Sequence, residues 1–450
     1  MTTVDADLAA TGTGGGTSLA VLRVRPFLLL WLSQAATQIG GNMVIYGLTV
    51  LVYGASGSNT AVSALLLTFL APAILFSALA GVYVDRFDRR LVLVATNLAR
   101  AGLFALMIVA GGNVYAVFAL NILVSTATTF FGPAEASMIP ILVPRPLLLS
   151  ANAVFTLTTN AAFALGFALL GPLVVKLAGP TVLIGVVAAC YLVAAGFCWT
   201  LPPAPPTTQS NRAGGGLQGV LSAIGEVMAE LREGIAYIGE HHNVAWSLLY
   251  LAISASIIGV LGALGPGFAT SVLGLQPDDF VMVVLPLGAG VVTGVLLLGP
   301  LARLVPRRRL IEGGMIGLGV LLAMLTIVGP ASLFLQRRAS FVHGSVDVSA
   351  LVSVLALVIA IAFPAGVAYA LIALPSQTEL QESLAEEVRG RIFGILNMLS
   401  SVASFLPIII VGPIADLVGP MPVVLVSALL ILVAGIVSVA RRRDVPATAT

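Results

Sequence analysis

Two charged residues of this chain lie inside long apolar segments, where the choice of chemistry is narrow. Glu135 falls in the apolar segment 114–139 and Arg100 in the apolar segment 91–111. A charge in the hydrocarbon region of a bilayer costs about 2.5–3.5 kcal/mol on insertion scales, so such side chains are paired, protonated or exposed to a water-filled cavity. Glu135 therefore has two open interpretations, a structural ion pair and a protonation site. Arg100 requires a carbonyl oxygen, an acid or a route to the membrane surface.

A second group of candidates is a stripe of amides. Gln34, Gln38 and Asn42 recur every four residues, which places them on one face of a helix. Such a face is unfavourable against lipid. It favours either contact with a substrate or hydrogen bonds between helices, and the spacing alone leaves both open.

The elements that must position these residues are membrane-spanning helices. The chain has 450 residues, of which 59% are hydrophobic and 9% charged, with a mean hydropathy of +1.08. A soluble chain carries about 25% charge. The apolar runs are long and unalternated, unlike the roughly 10-residue alternating strands of a membrane β-barrel. We therefore predict an all-α polytopic membrane protein.

The residue types exclude several functions. Cys190 and Cys198 share one apolar run, which predicts core packing rather than a disulfide or metal site. Lys176, the only lysine, is outside any Walker-type phosphate loop, so no ATP use is expected. The histidines, His241, His242 and His343, lie outside the predicted spans. We predict no enzyme activity, no metal, no cofactor and no nucleic-acid partner.

Twelve apolar stretches, separated by Gly, Pro, Asn or charged residues, predict twelve transmembrane helices in two sets of six. A linker rich in Pro, Ser, Thr and Gly separates the sets. The predicted spans are 27–52, 60–83, 91–111, 114–139, 150–175, 180–200, 244–270, 280–302, 309–330, 350–374, 391–415 and 420–440. The predicted domains are a disordered tail (1–26), an N-terminal bundle (27–200), a linker (201–243) with an amphipathic helix, a C-terminal bundle (244–440) and a tail (441–450).

Arginine placement predicts the orientation. With the N-terminus in the cytosol, 17 of the 21 basic residues fall in cytosolic segments, as the positive-inside rule requires. Both termini of this multi-pass protein are then cytosolic, and the location is the cell (cytoplasmic) membrane.

The two sets of spans repeat local features in the same orientation. GVYVDRFDRR follows span 2 and GPLARLVPRRR follows span 8, each with paired arginines eight and nine residues after its first glycine. GPLVVKLAGP ends span 5 and GPIADLVGP ends span 11. This pattern predicts a parallel duplication of six helices.

The loop GVYVDRFDRR, together with the six-plus-six layout, resembles the signature loop of the major facilitator superfamily. WLSQAATQIGGNM, FFGPAEASMIPILVP and VRGRIFGILN resemble the branch that contains macrolide efflux proteins and the enterobactin exporter. The resemblance covers residues 26 to 440. It implies two six-helix bundles around a central cavity, with spans 1, 4, 7 and 10 lining it and alternating access to the two sides.

The resemblance also implies roles for individual residues. The loop would form a conformational latch in which Asp85 binds the start of span 11 near Gly390. Arg89 would pair with Glu135. The latch comprises Gly81, Asp85, Arg86, Arg89 and Arg90. The candidate residues for protonation or a charge relay are Glu135 and Arg100. The polar and aromatic candidates for the substrate cavity are Gln34, Gln38, Asn42, Tyr46, Asn121, Trp246, Tyr250 and Tyr369.

Other acidic residues receive lesser roles. Glu379, Glu382, Glu386 and Glu387 on the cytosolic side could pair with the arginine loops or remain solvated. Glu312 and Asp416 lie at the ends of spans 9 and 11, where we expect them to reach the membrane surface.

The function implied is secondary transport: export of a small amphipathic or hydrophobic compound, such as a drug, macrolide or siderophore-like molecule, with protons as the candidate coupling ion. The lack of an acid at Asn42 leaves the coupling open. The alternatives are a lipid or lysolipid translocase of the same fold and a membrane protein without transport activity. We expect a monomer whose partners are the bilayer and the substrate.

Overall fold

The computed structural model describes residues 20–84, 86–205, 242–328, 353–383 and 406–443, with a few single positions between 225 and 239. Every regular element in these ranges is helical. Asp85, the segment after Ser383 that would begin span 11, and most of the predicted amphipathic helix lie outside the described residues.

The first six predicted spans correspond to helices. They are α1 (Arg25–Ser56), α2 (Asn59–Val84), α3 (Arg89–Val109), α4 (Val114–Leu142), α5 (Leu148–Phe163) and α6 (Gly171–Trp199). A π-helix, Ala164–Leu170, joins α5 to α6. Within α6 the backbone breaks at Gly179, whose φ of 83° is open to glycine without strain. The part of α6 before Gly179 therefore completes span 5, and the part after it forms span 6.

The described parts of the second six spans are likewise helical. They are α7 (His242–Ser271), α8 (Val281–Leu304), α9 (Arg307–Thr326), α10 (Val354–Ser383), α11 (Leu406–Val418) and α12 (Pro420–Arg443). Ten helical stretches among the described residues are long and apolar enough to cross a membrane, with α5 and α6 forming one continuous stretch. The described part of α11 is shorter but also apolar.

Short polar side chains form the N-caps of two helices. Asp88 caps α3 by accepting a hydrogen bond from the backbone N–H of Arg90, and Asn113 caps α4 by accepting from Tyr115 and Ala116. Each satisfies backbone donors that have no partner inside the helix. The helix starts are thus encoded locally, by Asp or Asn directly before an apolar run.

The helices form two compact units. The first contains Met1–Gly47 and Thr68–Glu226, and the second contains Leu48–Leu67 and Val227–Thr450. In the first unit α3 packs against α4 and α6, and in the second α9 packs against α10 and α12. The same helix pairs recur six positions apart, as the parallel duplication predicts.

Glycines allow α1 to lie close to the π-helical region in the first unit. A Cβ on Gly166 would lie 2.6 Å from the Ile39 carbonyl oxygen and 2.8 Å from the Asn42 Cβ. A Cβ on Gly171 would lie 3.2 Å from the Tyr46 Cβ. The face of α1 that carries Asn42 and Tyr46 is therefore fixed by close backbone packing.

Each unit has its own core, and large apolar side chains remain on the outside. Phe27, Leu93 and Met138 are fully buried in the first unit, as are Ile311 and Met315 in the second. Large exposed apolar side chains lie on several helices; examples are Leu75, Leu157, Leu177, Leu296, Leu417 and Leu430. Exposed apolar surface of this extent fits helices that face lipid.

Candidate functional site

Arg100 lies at the centre of a buried polar cluster in the first unit. Its side chain is 2% exposed. Nη2 donates to the Asn97 Oδ1 at 2.6 Å and Nε to the Thr96 carbonyl oxygen at 3.3 Å. The guanidinium lies between two aromatic rings, 4.4 Å from the Phe131 centroid and 4.5 Å from the Tyr191 centroid. Cation–π contacts are stronger where water is excluded, so the two rings help to stabilise the buried guanidinium. No carboxylate contacts it directly among the described residues.

Glu135 faces the same cluster from α4. It follows Phe131 by four residues, so both side chains lie on one face of the helix. Glu135 is buried and interacts electrostatically with Arg100. Among the described residues, no donor lies within hydrogen-bond distance of its buried Oε1. Glu135 and Arg100 therefore attract each other at a distance, without the direct hydrogen bond of a structural ion pair.

The partner proposed for Glu135 from the family resemblance was Arg89, and the structure corrects it. Arg89 donates through Nη1 to the Pro205 carbonyl oxygen at 3.4 Å and through its backbone N–H to the Ala204 carbonyl oxygen at 3.2 Å. The cation that acts on Glu135 is Arg100, one turn deeper into α3 than Asn97. The two arginines are about three turns apart and lie on nearly the same face of α3, so helical periodicity could not choose between them; their position along α3 relative to Glu135 decides.

The cluster continues from α3 to α6 and α1. Asn97 Nδ2 donates to the Cys198 Sγ at 3.6 Å, and Cys198 Sγ shares a hydrogen bond with the Ser33 Oγ at 3.1 Å. We call this series Ser33–Cys198–Asn97–Arg100 the first polar chain. Cys198, predicted only to fill the core, thus also joins buried polar groups on three helices.

The second unit contains a similar series, which we call the second polar chain. The Tyr250 hydroxyl on α7 shares a 2.5 Å hydrogen bond with Ser438 on α12. Ser438 donates to Glu312 Oε1 at 3.1 Å, and Arg308 Nε donates to the same oxygen at 3.2 Å. Glu312 is 3% exposed. The expectation that Glu312 reaches the membrane surface is wrong, because hydrogen bonds hold it in the core.

Asp416 is exposed at the end of α11, and protein donors also bind it. Its carboxylate accepts hydrogen bonds from Ser58, Asn59 and Thr60 at the start of α2, all within the second unit. Its side chain is therefore exposed and at the same time bound to protein donors.

The candidate cavity residues of the first unit mostly bind other helices. Gln34 is buried, and its Nε2 lies 3.4 Å from the Thr159 Oγ1 on α5. Asn42 donates to the Gln38 carbonyl oxygen in its own helix at 2.8 Å. Gln34 therefore makes the helix–helix contact that was the alternative to substrate binding.

Two further candidates are fully enclosed in the first unit. Tyr46 is 1% exposed and meets Phe167 edge-on, with ring centroids 6.1 Å apart. Asn121 is buried, and its Nδ2 donates to the Thr68 Oγ1 at 2.8 Å, which ties α4 to α2. The Asn121 Oδ1 is buried without a hydrogen bond to any described residue.

The candidates of the second unit lie on its core. Trp246 packs against Tyr250 with ring centroids 5.7 Å apart, and Tyr250 ends the second polar chain. Tyr369 on α10 is half-buried against the core of the same unit. Trp246 and Tyr369 retain partly exposed surface, whereas Tyr250 is enclosed.

The loop after α2 is described except at Asp85, so the latch contact of Asp85 with span 11 stays a prediction. Gly81 and Arg86 lie at the end of α2 and in this loop. Arg86 lies over the Tyr83 ring at 5.8 Å, and Arg90 over the Trp199 ring at 5.1 Å.

Asp88 joins this loop to the chain that leaves α6. Besides capping α3, it accepts a hydrogen bond from the Ala204 backbone N–H at 3.2 Å. Leu201 and Ala204 are buried in the core of the first unit. The first residues after α6 thus pack onto the start of α3.

The helices and the duplicated polar chains can be compared with known proteins. A family model described as Major Facilitator Superfamily matches residues 30–407. The chain belongs to the major facilitator superfamily. The all-helical fold and the loop after α2 agree with that membership.

Relatives within the superfamily match nearly the whole chain. The multidrug efflux pump Tap of Mycolicibacterium fortuitum is 23% identical, covering 92% of this chain and 95% of its own length. Tap of Mycobacterium tuberculosis (strain H37Rv) is 24% identical, covering 92% of each chain. The uncharacterized MFS-type transporter YfiS of Bacillus subtilis is 22% identical, covering 91% of this chain and 92% of its own length.

Solved transporter structures share the fold. The nucleoside transporter NupG (D323A mutant) superimposes with a TM-score of 0.63 at 13% identity, covering 92% of this chain and 99% of its own. The POT family transporter PepTSo gives a TM-score of 0.61 at 14% identity, covering 93% and 98%. This protein is thus a membrane transporter of the major facilitator type, with relatives of the efflux kind.

The residues that sequence reasoning missed are those that hold Arg100. Asn97 precedes it by one helical turn, and Phe131 precedes Glu135 by one turn. Those spacings are visible in the sequence and could have been used. Tyr191 lies 91 residues after Arg100 in the sequence, and only the packing of α6 on α3 identifies it.

Proposed function

We propose that this chain is a secondary active exporter that moves a small amphipathic or hydrophobic compound across the cell membrane by alternating access. We further propose that Glu135 takes up and releases the coupling proton. The observation that carries the second proposal is the buried Glu135 Oε1, which has no donor among the described residues.

The surroundings of Glu135 suit a change of protonation. A carboxylate oxygen with a free lone pair can accept a proton without first breaking a hydrogen bond. The groups that act on it are Arg100 from α3 and Cys198 from α6, with Tyr191 beside Arg100. Arg100 donates to Asn97 and Thr96 and contacts two rings, and none of these partners is Glu135. Protonation of Glu135 therefore changes the local charge without removing a partner of Arg100.

The direction and substrate class rest on the relatives and on composition. The relatives named multidrug efflux pump match over 92% of the chain, which favours export. Charged residues make up 9% of the chain, and most basic residues fall outside the spans. A translocation path with so few charges favours neutral, amphipathic or hydrophobic compounds.

The proposal is tested with the purified protein in proteoliposomes and with an efflux-deficient bacterial host. A panel of neutral, cationic and anionic amphipathic compounds is screened for reduced accumulation, with and without a protonophore. A fluorescent lysophospholipid in the panel tests the lipid translocase alternative. We expect export of at least one amphipathic compound, lost when the protonophore removes the proton gradient.

The role of Glu135 is tested by comparing Glu135→Gln with Glu312→Gln. Both remove a buried carboxylate, but Glu312 already accepts two hydrogen bonds. We expect Glu135→Gln to remove the pH dependence of transport and Glu312→Gln to keep it. Transport by Glu135→Gln with the wild-type pH dependence would disprove the proton role and leave the export proposal standing. Efflux that continues at the same rate in the presence of the protonophore would disprove proton coupling altogether.

A further inference from the structure

The start of α2 is bound by a single carboxylate from α11. Asp416 Oδ1 accepts from the Asn59 backbone N–H at 2.8 Å and the Asn59 Nδ2 at 2.9 Å. Its Oδ2 accepts from the Thr60 backbone N–H at 2.9 Å and from the Thr60 and Ser58 hydroxyls, each at 2.6 Å. The first backbone N–H groups of a helix have no partner inside it, and the helix dipole favours a negative charge there. Asp416 therefore caps α2 from a distant helix.

Glycines on two helices allow α2 to come close enough for this contact. A Cβ on Gly412 of α11 would overlap the Ser63 Oγ and lie 2.6 Å from the Asn59 carbonyl oxygen. A Cβ on Gly267 of α7 would overlap the Asn59 side chain. The first turn of α2 therefore lies in a slot that a larger side chain at either glycine would fill.

The end of α1 is attached to the same place. The Tyr53 hydroxyl shares a 3.0 Å hydrogen bond with the Thr270 Oγ1 on α7. Residues 48–67, which form the tip of the α1–α2 hairpin, belong to the second compact unit although the rest of both helices belongs to the first. The tip is thus held by helices that come from the other half of the duplicated sequence.

We propose that Asp416 is a latch that holds the tip of the α1–α2 hairpin on α7 and α11 and must release it during transport. This inference rests on the proposed alternating access. If access alternates, helices from the two halves of the sequence must separate at each end in turn. By the predicted orientation this tip is extracellular, so the bound state closes the outer side. Asp416 would act opposite to the predicted cytosolic latch at Asp85.

The arrangement suits a reversible contact better than a permanent one. Its bonds are concentrated on one charged side chain, and the glycines Gly412 and Gly267 face the first turn of α2. Hydroxyl and amide donors freed from Asp416 can bind water at the extracellular surface. Release therefore exposes polar groups to solvent rather than burying them unsatisfied.

The test measures solvent access to the slot and needs no substrate. A cysteine replaces Ser63, which lies on α2 and is buried against Gly412 of α11, in a background with Cys190→Ala and Cys198→Ser. Intact cells are treated with a membrane-impermeant thiol reagent. With Asp416→Asn, which keeps the shape of the side chain but loses its charge, we expect labelling of S63C to be roughly tenfold faster as the open state becomes populated. Asp416→Glu should stay nearer the wild-type rate.

A second variant keeps the carboxylate. Ser58→Ala with Thr60→Val removes two hydroxyl donors and leaves the backbone N–H contacts, so a smaller increase in labelling is expected. Labelling that stays at the wild-type rate in both variants would overturn the latch and show a static cap. The readout does not depend on substrate or protons: faster labelling in a protein that exports nothing would support the latch and count against the proposed function.

Discussion

The two polar chains use corresponding helices but distribute their charges differently. The first joins α1, α6 and α3 through Ser33, Cys198, Asn97 and Arg100. The second joins α7, α12 and α9 through Tyr250, Ser438, Glu312 and Arg308. Each therefore ties the first, third and sixth helix of its half together.

In the second chain the buried charge is an acid, and its bonds satisfy it. Glu312 Oε1 accepts from both Ser438 and Arg308, whose side chain is 36% exposed. In the first chain the buried charge is a base, satisfied by Asn97, Thr96 and two rings. The nearby acid, Glu135, lies outside the chain of hydrogen bonds.

This difference separates a brace from a candidate site. Buried polar groups are nearly always hydrogen-bonded, so an exception calls for an explanation. Glu312 needs none, because its bonds account for its burial. Glu135 has a buried oxygen without a donor among the described residues, which is the condition that proton uptake would relieve. Duplication therefore supplied the framework twice, and the two copies differ in how one acid is bound: Glu312 is part of the second polar chain, whereas Glu135 lies outside the first.

The largest effect is expected from removing Arg100, with Arg308 as the matched control in the second unit. Arg100→Ala leaves Glu135 and Asn97 buried without their cation, so we expect a loss of roughly 3–5 kcal/mol in the free energy of unfolding. Arg308→Ala removes a partly exposed cation and should cost about 1 kcal/mol or less. Unfolding of the purified proteins in detergent measures both. Equal losses would show that the two chains are energetically alike.

Replacement of each buried glutamate by glutamine is expected to have an intermediate effect. Here the larger loss of stability is expected in the second unit rather than in the first. Glu312→Gln weakens two hydrogen bonds in the core and should cost about 1–3 kcal/mol. Glu135→Gln changes a group whose Oε1 has no donor, so we expect less than about 1 kcal/mol. The same unfolding measurement applies. A larger loss of unfolding free energy for Glu135→Gln would mean that the interaction between Glu135 and Arg100 contributes substantially to stability.

The smallest effects come from the residues that bridge the helices. Ser438→Ala removes the hydroxyl between Tyr250 and Glu312 and should cost about 1 kcal/mol. Cys198→Ser retains a group that can bond to both Ser33 and Asn97, so its stability should change by only a few tenths of a kcal/mol. If Cys198→Ser proved as destabilising as Ser438→Ala, the thiol would act mainly through packing.

Sequence reasoning predicted the helices better than the site. The apolar runs and their breaks predicted the positions of α1 to α12, because a bilayer imposes both length and composition on a spanning helix. Glu135 and Arg100 were singled out for the same reason, since charge is costly there. Their mutual interaction was not predicted, because Arg89 and Arg100 lie on nearly the same face of α3, and only the tertiary structure shows which of them is level with Glu135.

The ends of the helices show the same limit. Asp416 and Glu312 look alike in sequence, as single acids near the ends of apolar spans. Asp416 binds the start of α2, some 350 residues earlier in the chain, and Glu312 binds Ser438 on α12. Periodicity describes one helix at a time and so carries no information on which helix end lies opposite.

The sequence by itself determined a duplicated, all-helical membrane transporter with its charges kept to a few positions. The length of each apolar run, the residues that interrupt it and the motif after α2 are local properties. Each depends only on neighbouring residues in the sequence. The tertiary structure decided which buried charges are satisfied. The partners of Arg100, Glu312 and Asp416 lie on other helices, and only the packing of those helices brings donor and acceptor within bonding distance.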